Sequence, residues 1–229
     1  MSRYGSYTRS AYYGAVAALP LLLAYEALLA WSGTPGFFQV RNAADVWLRL
    51  LLFSLGAGHS LATWVTILLL VAAIALARPA DMPLVPGYFA LLLLEAIGYS
   101  AALGAASLLL PWAVSAAMPH GVETASAIAN ALGAGLFEEL AFRVILFTGL
   151  FWLARRVLGP KPALVLAVLG ASLLFSLAHY AGPDGEAFNL GTFAFRWGAG
   201  LAFTMLYAGR GFGVTAYTHA FYDLWALLI

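Results

Sequence analysis

Apolar runs interrupted by few charges recur along the whole chain, and this recurrence limits what the chain can fold into. A helix needs about 20 predominantly apolar residues to cross a bilayer, and several of the runs approach that length. Breaking the runs at glycine, proline and charge clusters predicts seven spans. These are Ala11–Trp31, Leu61–Ala77, Tyr88–Leu110, Gly133–Ala154, Ala163–His179, Phe193–Tyr207 and Gly213–Ile229. The predicted fold class is all-α, a polytopic membrane helix bundle of about seven transmembrane helices.

Three further segments refine this assignment. Gly33–Asp45 contains Pro35, Gly36 and Asn42 and is typical of a loop, whereas Val46–Leu55 is apolar but too short to cross a bilayer. Glu123–Arg155 reads as one long helix, and at about 1.5 Å rise per residue it exceeds the thickness of the hydrocarbon core. We therefore expect its first third to lie outside the hydrocarbon. We also expect residues 1–229 to form a single domain.

Composition excludes several classes of protein. Hydrophobic residues make up 63% of the chain and charged residues 9%, whereas soluble domains average about 45–50% and about 25%. A soluble globular enzyme is therefore excluded. The net charge of +1 argues against a nucleic-acid partner, because no basic stripe is available to bind phosphates. With no cysteine, the chain has no disulfide, no thiolate metal site and no cysteine nucleophile.

The basic residues predict the orientation in the membrane. If the N-terminus lies inside, seven basic residues fall on inner segments, three fall on outer segments, and Arg143 lies within a span. Cytoplasmic loops of membrane proteins carry an excess of lysine and arginine. We therefore expect a multi-pass cell-membrane protein with a cytoplasmic N-terminus, and the short polar N-terminus favours a prokaryotic inner membrane.

The strongest cluster of charges in a predicted span is Phe137-Glu138-Glu139-Leu140-Ala141-Phe142-Arg143. Ionisable groups inside a bilayer are costly and are functional candidates by default. Glu139 and Arg143 are i,i+4 neighbours and can pair on one helix face. Glu138 points about 100° away from Glu139 on an α-helix, which leaves it available as a general acid or base. A purely structural ion pair remains an alternative for Glu139 and Arg143.

Two later segments carry histidines. His179 follows Phe175 by four residues at the end of the fifth span, and His219 and Asp223 share one face of the last. Carboxylate and histidine sets of this kind can activate water and stabilise an oxyanion. Taken alone, His179 could be a helix-capping or interfacial residue, and His219 with Asp223 could be a hydrogen-bonded pair between helices.

The order Glu-Glu-x-x-x-Arg, Phe-x-x-x-His and His-x-x-x-Asp resembles the CPBP intramembrane proteases. This family of CAAX proteases and bacteriocin-processing (Abi) proteins includes the Ras-converting CAAX endopeptidases. The resemblance covers Phe137 to Asp223, while the first half of the chain matches only as hydrophobic helices. Asp223 stands where many members carry asparagine. The resemblance implies a single transmembrane protease domain with its catalytic core at about residues 124–229.

The family's roles transfer by motif onto seven positions. The resemblance implies that Glu138 activates the hydrolytic water and that His179 shares and orients it. Glu139 and Arg143 would be the supporting ion pair, and Phe175 would form part of the site wall. His219 and Asp223 would stabilise the tetrahedral intermediate, with Asp223 orienting His219. The resemblance also implies that the enzyme uses no cofactor, and zinc held by the His and Glu groups is the alternative. The chain contains no HExxH pair, the pattern typical of zinc proteases.

The expected partners are the lipid bilayer and a protein or peptide substrate, including a prenylated one. Two other functions remain open from the residues alone. One is a proton- or metal-coupled transporter, although no inverted repeat is visible. The other is a non-catalytic immunity or scaffold protein of the same fold. Glu26 and Glu95 also lie within spans, and we expect them to make structural hydrogen bonds between helices; for Glu95, a position next to the site cavity is the alternative.

Overall fold

The computed structural model describes residues 2–32, 41–56, 58, 61–108, 124–182 and 185–227. These residues are mostly helical and contain no strand, which confirms the all-α class. The helices are α1 (Arg3–Thr8), α2 (Ala11–Trp31), α3 (Ala43–Ser54), α4 (Leu61–Ala77), α5 (Pro86–Leu108), α6 (Thr124–Gly133), π1 (Ala134–Glu138), π2 (Leu140–Phe147), α7 (Thr148–Ala154), α8 (Pro160–Ala178), α9 (Leu190–Arg210) and α10 (Phe212–Ala226).

The predicted spans can be compared with these helices. Helices α2 and α4 have the bounds predicted for the first and second spans. Among the described residues, α2, α5 and α8 are long and apolar enough to cross a membrane, and α4 is a shorter apolar helix. Helix α3 starts at Ala43, so the last three residues of the predicted loop Gly33–Asp45 are helical, and it continues through the short apolar segment as far as Ser54. The described helices thus support a membrane bundle, and the number of crossings stays a prediction.

The chain remains helical from Thr124 to Ala154, as the long apolar pattern predicts, but part of this helix has π geometry. The π1 and π2 segments lie on either side of Glu139, whose backbone angles are helical (φ −66°, ψ −36°). A π turn closes its hydrogen bond over five residues; it occurs mostly as a bulge inside an α-helix and is frequent at functional sites. The widened turns therefore coincide with the charged cluster.

Helix α10 packs against α2, α5, α6, α9 and π1 and so lies at the centre of the fold. Small residues allow α10 and π1 to approach each other closely. A Cβ atom added at Gly135 would lie 2.8 Å from the Ala220 Cβ and closer still to the carbonyl oxygen of Ala216. Such distances require backbone to move. Glycine at 135 therefore allows π1, which carries Glu138, to lie directly on α10.

A polar network joins α2 to α3. Glu26 accepts hydrogen bonds from Arg41, Arg49 and Thr63, and the buried Asp45 accepts bonds from both arginines. Because buried charges are costly unless paired, this network holds the start of α3 against α2. Glu26 therefore makes the interhelical bonds that the sequence predicts for it.

Glu95 makes a second interhelical contact. It accepts hydrogen bonds from Arg210 at 2.5 and 2.7 Å and from the Tyr4 hydroxyl. These bonds tie α5 to the end of α9 and to α1. Glu95 thus also makes the interhelical hydrogen bonds predicted for it.

Candidate active site

Glu139 and Arg143 form an ion pair with no solvent exposure on either side chain. Their Oε1 and Nη1 atoms are 2.9 Å apart. The Arg143 guanidinium also lies 4.3 Å from the centre of the Phe175 ring. Such a cation–π contact adds to the stabilisation of a buried cation. Phe175 thus lies against the ion pair and forms a wall of the site.

His219 reaches the same carboxylate from α10. Its Nδ1 lies 2.6 Å from Oε1 of Glu139, and because an ionised carboxylate only accepts, Nδ1 is the donor. The Phe203 ring stacks on the imidazole at 4.4 Å with an interplanar angle of 20°. These two contacts hold the ring in one orientation. The second ring nitrogen, Nε2, then lies 4.0 Å from Oε2 of Glu138 and 3.7 Å from Oδ2 of Asp223.

Glu138 is not the free carboxylate that the helix geometry suggests. Its Oε1 accepts a 2.7 Å hydrogen bond from Nδ2 of Asn42, which caps the N-terminus of α3. The sequence pattern predicts Asn42 only as part of the loop Gly33–Asp45, not as the residue that caps α3. Asparagine just before an apolar helix is a recognisable N-cap signal. Nothing in the local sequence indicates that its amide reaches a residue 96 positions away.

His179 is the C-cap of α8, and its Nδ1 lies 2.9 Å from the carbonyl oxygen of Phe175. Since a carbonyl only accepts, Nδ1 donates and Nε2 is the remaining acceptor of the neutral ring. The ring packs edge-on against Phe175, with 5.0 Å between centroids. His179 is also within electrostatic range of Glu138. Helices α8 and α10 and the π segments thus bring all seven predicted positions into one region.

The region has the parts that water chemistry needs. It contains a carboxylate with one oxygen held and the other directed at a histidine, and it contains a second histidine nearby. A buried ion pair orients the first histidine. A base, an orienting group and a donor for a developing oxyanion could all be supplied by these side chains.

The described side chains do not form a ready-made metal site. Within the described residues, no group of three or more His, Cys, Asp and Glu side chains could hold a metal ion. The Nδ1 atoms of both histidines are engaged by Glu139 and by the Phe175 carbonyl, so their Nε2 atoms are the ring nitrogens that face the site.

Comparison with known proteins gives one match. Residues 120–225 match the family model described as type II CAAX prenyl endopeptidase Rce1-like. The searches of curated proteins and of solved structures found no match to the chain. All seven predicted site positions lie in the matched segment, and the chain also has helices apolar enough to cross a membrane. The resemblance drawn from the motifs is thereby confirmed: residues 120–225 are similar to the Rce1-like type II CAAX prenyl endopeptidases.

Proposed function

We propose that the protein is an intramembrane endopeptidase in which Glu138 activates water. The observation that carries the proposal is the pairing of Glu138 Oε2 with His219 Nε2 at 4.0 Å. The other oxygen of Glu138 and the other nitrogen of His219 are already hydrogen-bonded, to Asn42 and Glu139. The two remaining atoms are close enough for one water molecule to bridge them. The endopeptidase family match over this segment supports the same chemistry.

In the proposed reaction, Glu138 takes a proton from the water while the water oxygen bonds to the scissile carbonyl carbon. His179 orients that water through its Nε2. His219 lies between the carboxylates of Glu139 and Asp223 and donates from Nε2 to the oxyanion as an imidazolium. The C–N bond then breaks, and the proton held by Glu138 passes to the leaving amine.

The proposed substrate is a membrane-associated or lipidated protein or peptide, including a prenylated one. A partly open apolar cavity of about 210 Å³ lies between α5, α9 and α10, and Phe203 and Tyr222 are among its lining residues. Phe203 is also the ring that stacks on His219. A hydrocarbon chain in this cavity would therefore lie next to the proposed catalytic histidine. We propose a prokaryotic inner membrane with a cytoplasmic N-terminus as the setting.

The test is cleavage of a diverse peptide and lipopeptide pool by detergent-purified protein, followed by mass spectrometry. We expect the wild type to produce fragments, with or without a chelator, and Glu138→Gln to produce none. Glu95→Gln is the matched control, because it is the same substitution at a carboxylate bonded to Arg210 and Tyr4 instead.

Each other outcome argues against part of the proposal. Equal product spectra for the wild type and Glu138→Gln would contradict the assigned base. Cleavage that stops with the chelator would contradict the metal-free mechanism. A wild type that cleaves nothing, but loses ion flux on Glu138→Gln, would replace the protease with a transporter.

A further inference from the structure

The bond between Asn42 and Glu138 connects the first half of the chain to the proposed site. Nδ2 of Asn42 lies 2.7 Å from Oε1 of Glu138. The Asn42 residue is 3% exposed. It lies outside the segment that matches the endopeptidase family. The contact therefore comes from the part of the chain in which the motifs identify no site residue.

The cap on α3 determines which end of the Asn42 amide faces Glu138. Oδ1 accepts a 3.0 Å hydrogen bond from the backbone N–H of Ala44. The amide NH₂ group must therefore point the other way, toward the carboxylate. Because an ionised carboxylate only accepts and an NH₂ group only donates, the two groups match. The bond is a charge-assisted one that favours ionised Glu138.

The backbone at Asn42 is itself held firmly. Its N–H lies 3.4 Å from the Tyr25 hydroxyl, which donates to the buried Asp45 at 2.8 Å. Asp45 also accepts bonds from Arg41 and Arg49. On the opposite side, a Cβ added at Gly133 would lie 2.9 Å from the Asn42 Cβ. Asn42 is thus packed between α2, α3 and α6.

We propose that Asn42 is the positioning residue for Glu138, and this rests on the proposed function. By holding Oε1, Asn42 directs Oε2 toward Nε2 of His219. A carboxylate without this bond could rotate and exchange its oxygens. The bond therefore maintains the geometry needed to take a proton from water, and small misplacements of such groups cost up to about 100-fold in rate.

The test compares Asn42→Asp with Asn189→Asp in the full-length protein, using a peptide cleaved by the wild type. Aspartate caps a helix as well as asparagine does, so α3 keeps its N-cap while the donor to Glu138 becomes an acceptor. Asn189 is the exposed N-cap of α9, where its Oδ1 accepts from two backbone N–H groups. The two variants thus make the same change at two caps, only one of which contacts Glu138.

We expect Asn42→Asp to lower kcat by about 10- to 100-fold and to move the acid limb of its pH profile to higher pH. The shift follows because a second carboxylate disfavours the ionised form of Glu138. A loss of folded protein would instead reduce activity equally at every pH. The other charged or titratable groups around Glu138 are unchanged in both variants: His219 and Asp223 on α10, His179 at the end of α8, Glu139, and Arg143.

Asn42→Ser keeps a capping hydroxyl that is too short to reach Glu138, and it serves if Asn42→Asp does not fold. We expect Asn42→Ser to lower kcat and to move the acid limb of the pH profile to higher pH by less than Asn42→Asp does. Normal kcat and an unshifted profile in the folded Asn42 variants, with Glu138→Gln inactive, would overturn the inference while the proposed function stands. A wild type without cleavage would overturn both.

Discussion

Nδ1 of His219 donates a 2.6 Å hydrogen bond to Oε1 of Glu139, although 80 positions separate the two residues. The same oxygen lies 2.9 Å from Nη1 of Arg143. Glu139 therefore neutralises the guanidinium of Arg143, one turn along its own helix, and orients the imidazole of His219 on α10. This double contact explains why adjacent glutamates can differ in role, because Glu138 is left to face the second nitrogen of His219.

The first prediction concerns the loss of the Glu139 carboxylate, which Arg143 and His219 share. Glu139→Gln leaves Arg143 without a counter-charge in a fully buried position, and breaking such a pair costs about 3–5 kcal/mol. We expect a correspondingly lower free energy of unfolding, measured by denaturant titration in detergent. The double variant Glu139→Gln/Arg143→Met should recover part of the loss. A single variant as stable as the wild type would contradict the structural role of the pair.

The second prediction concerns the contact between π1 and α10. Gly135→Ala forces a methyl group against Ala216 and Ala220, and overpacking of this kind costs about 1–3 kcal/mol. Gly149→Ala is the control, since an added Cβ there meets no atom within 4 Å. Alanine is the better helix former by about 1 kcal/mol, so the control should be neutral or stabilising. Equal melting temperatures for the two variants would refute the close approach.

The third prediction concerns the hydrogen bonds to Asp45, in the helix that Asn42 caps. Asp45 is fully buried and accepts bonds from Tyr25, Arg41 and Arg49. We expect Asp45→Asn to lower the free energy of unfolding, because a buried charged pair loses one partner. Asp81→Asn changes an exposed aspartate in a turn and should stay within about 0.5 kcal/mol of the wild type. Thermal unfolding in detergent compares the two, and no difference between them would argue against the network.

The fourth prediction concerns the apolar cavity. Gly198 lines it, and a Cβ added there meets no atom within 4 Å, so Gly198→Leu should place its side chain in the cavity without distorting the fold. If the cavity accepts a hydrocarbon chain, KM should rise for a lipidated peptide and stay unchanged for its unlipidated form. Gly209→Leu is the control, because its added Cβ is also unobstructed and it does not line the cavity. An equal change in KM for both peptides would contradict the binding of the lipid chain in this cavity.

Local periodicity explains why the sequence predicts so much of the fold. The apolar runs between breakers coincide with α2 and α4 at both ends. The π turns on either side of Glu139 could not be predicted, because widening a turn by one residue changes the apolar pattern too little to be seen. The role of Asn42 could not be predicted either. Its capping function is local, whereas its contact with Glu138 depends on how α3 packs against π1.

The membrane class, the order of the helices and the side-chain pairs that lie one turn apart all follow from the amino-acid sequence alone. Glu139 with Arg143 and His219 with Asp223 are neighbours on any helix, because four residues make about one turn. The hydrogen bonds of His219 to Glu139 and of Asn42 to Glu138 depend instead on how the helices pack together. Those contacts depend on small residues such as Gly133 and Gly135, which let three helices approach. Helix periodicity acts over one turn, and packing alone relates side chains on different helices.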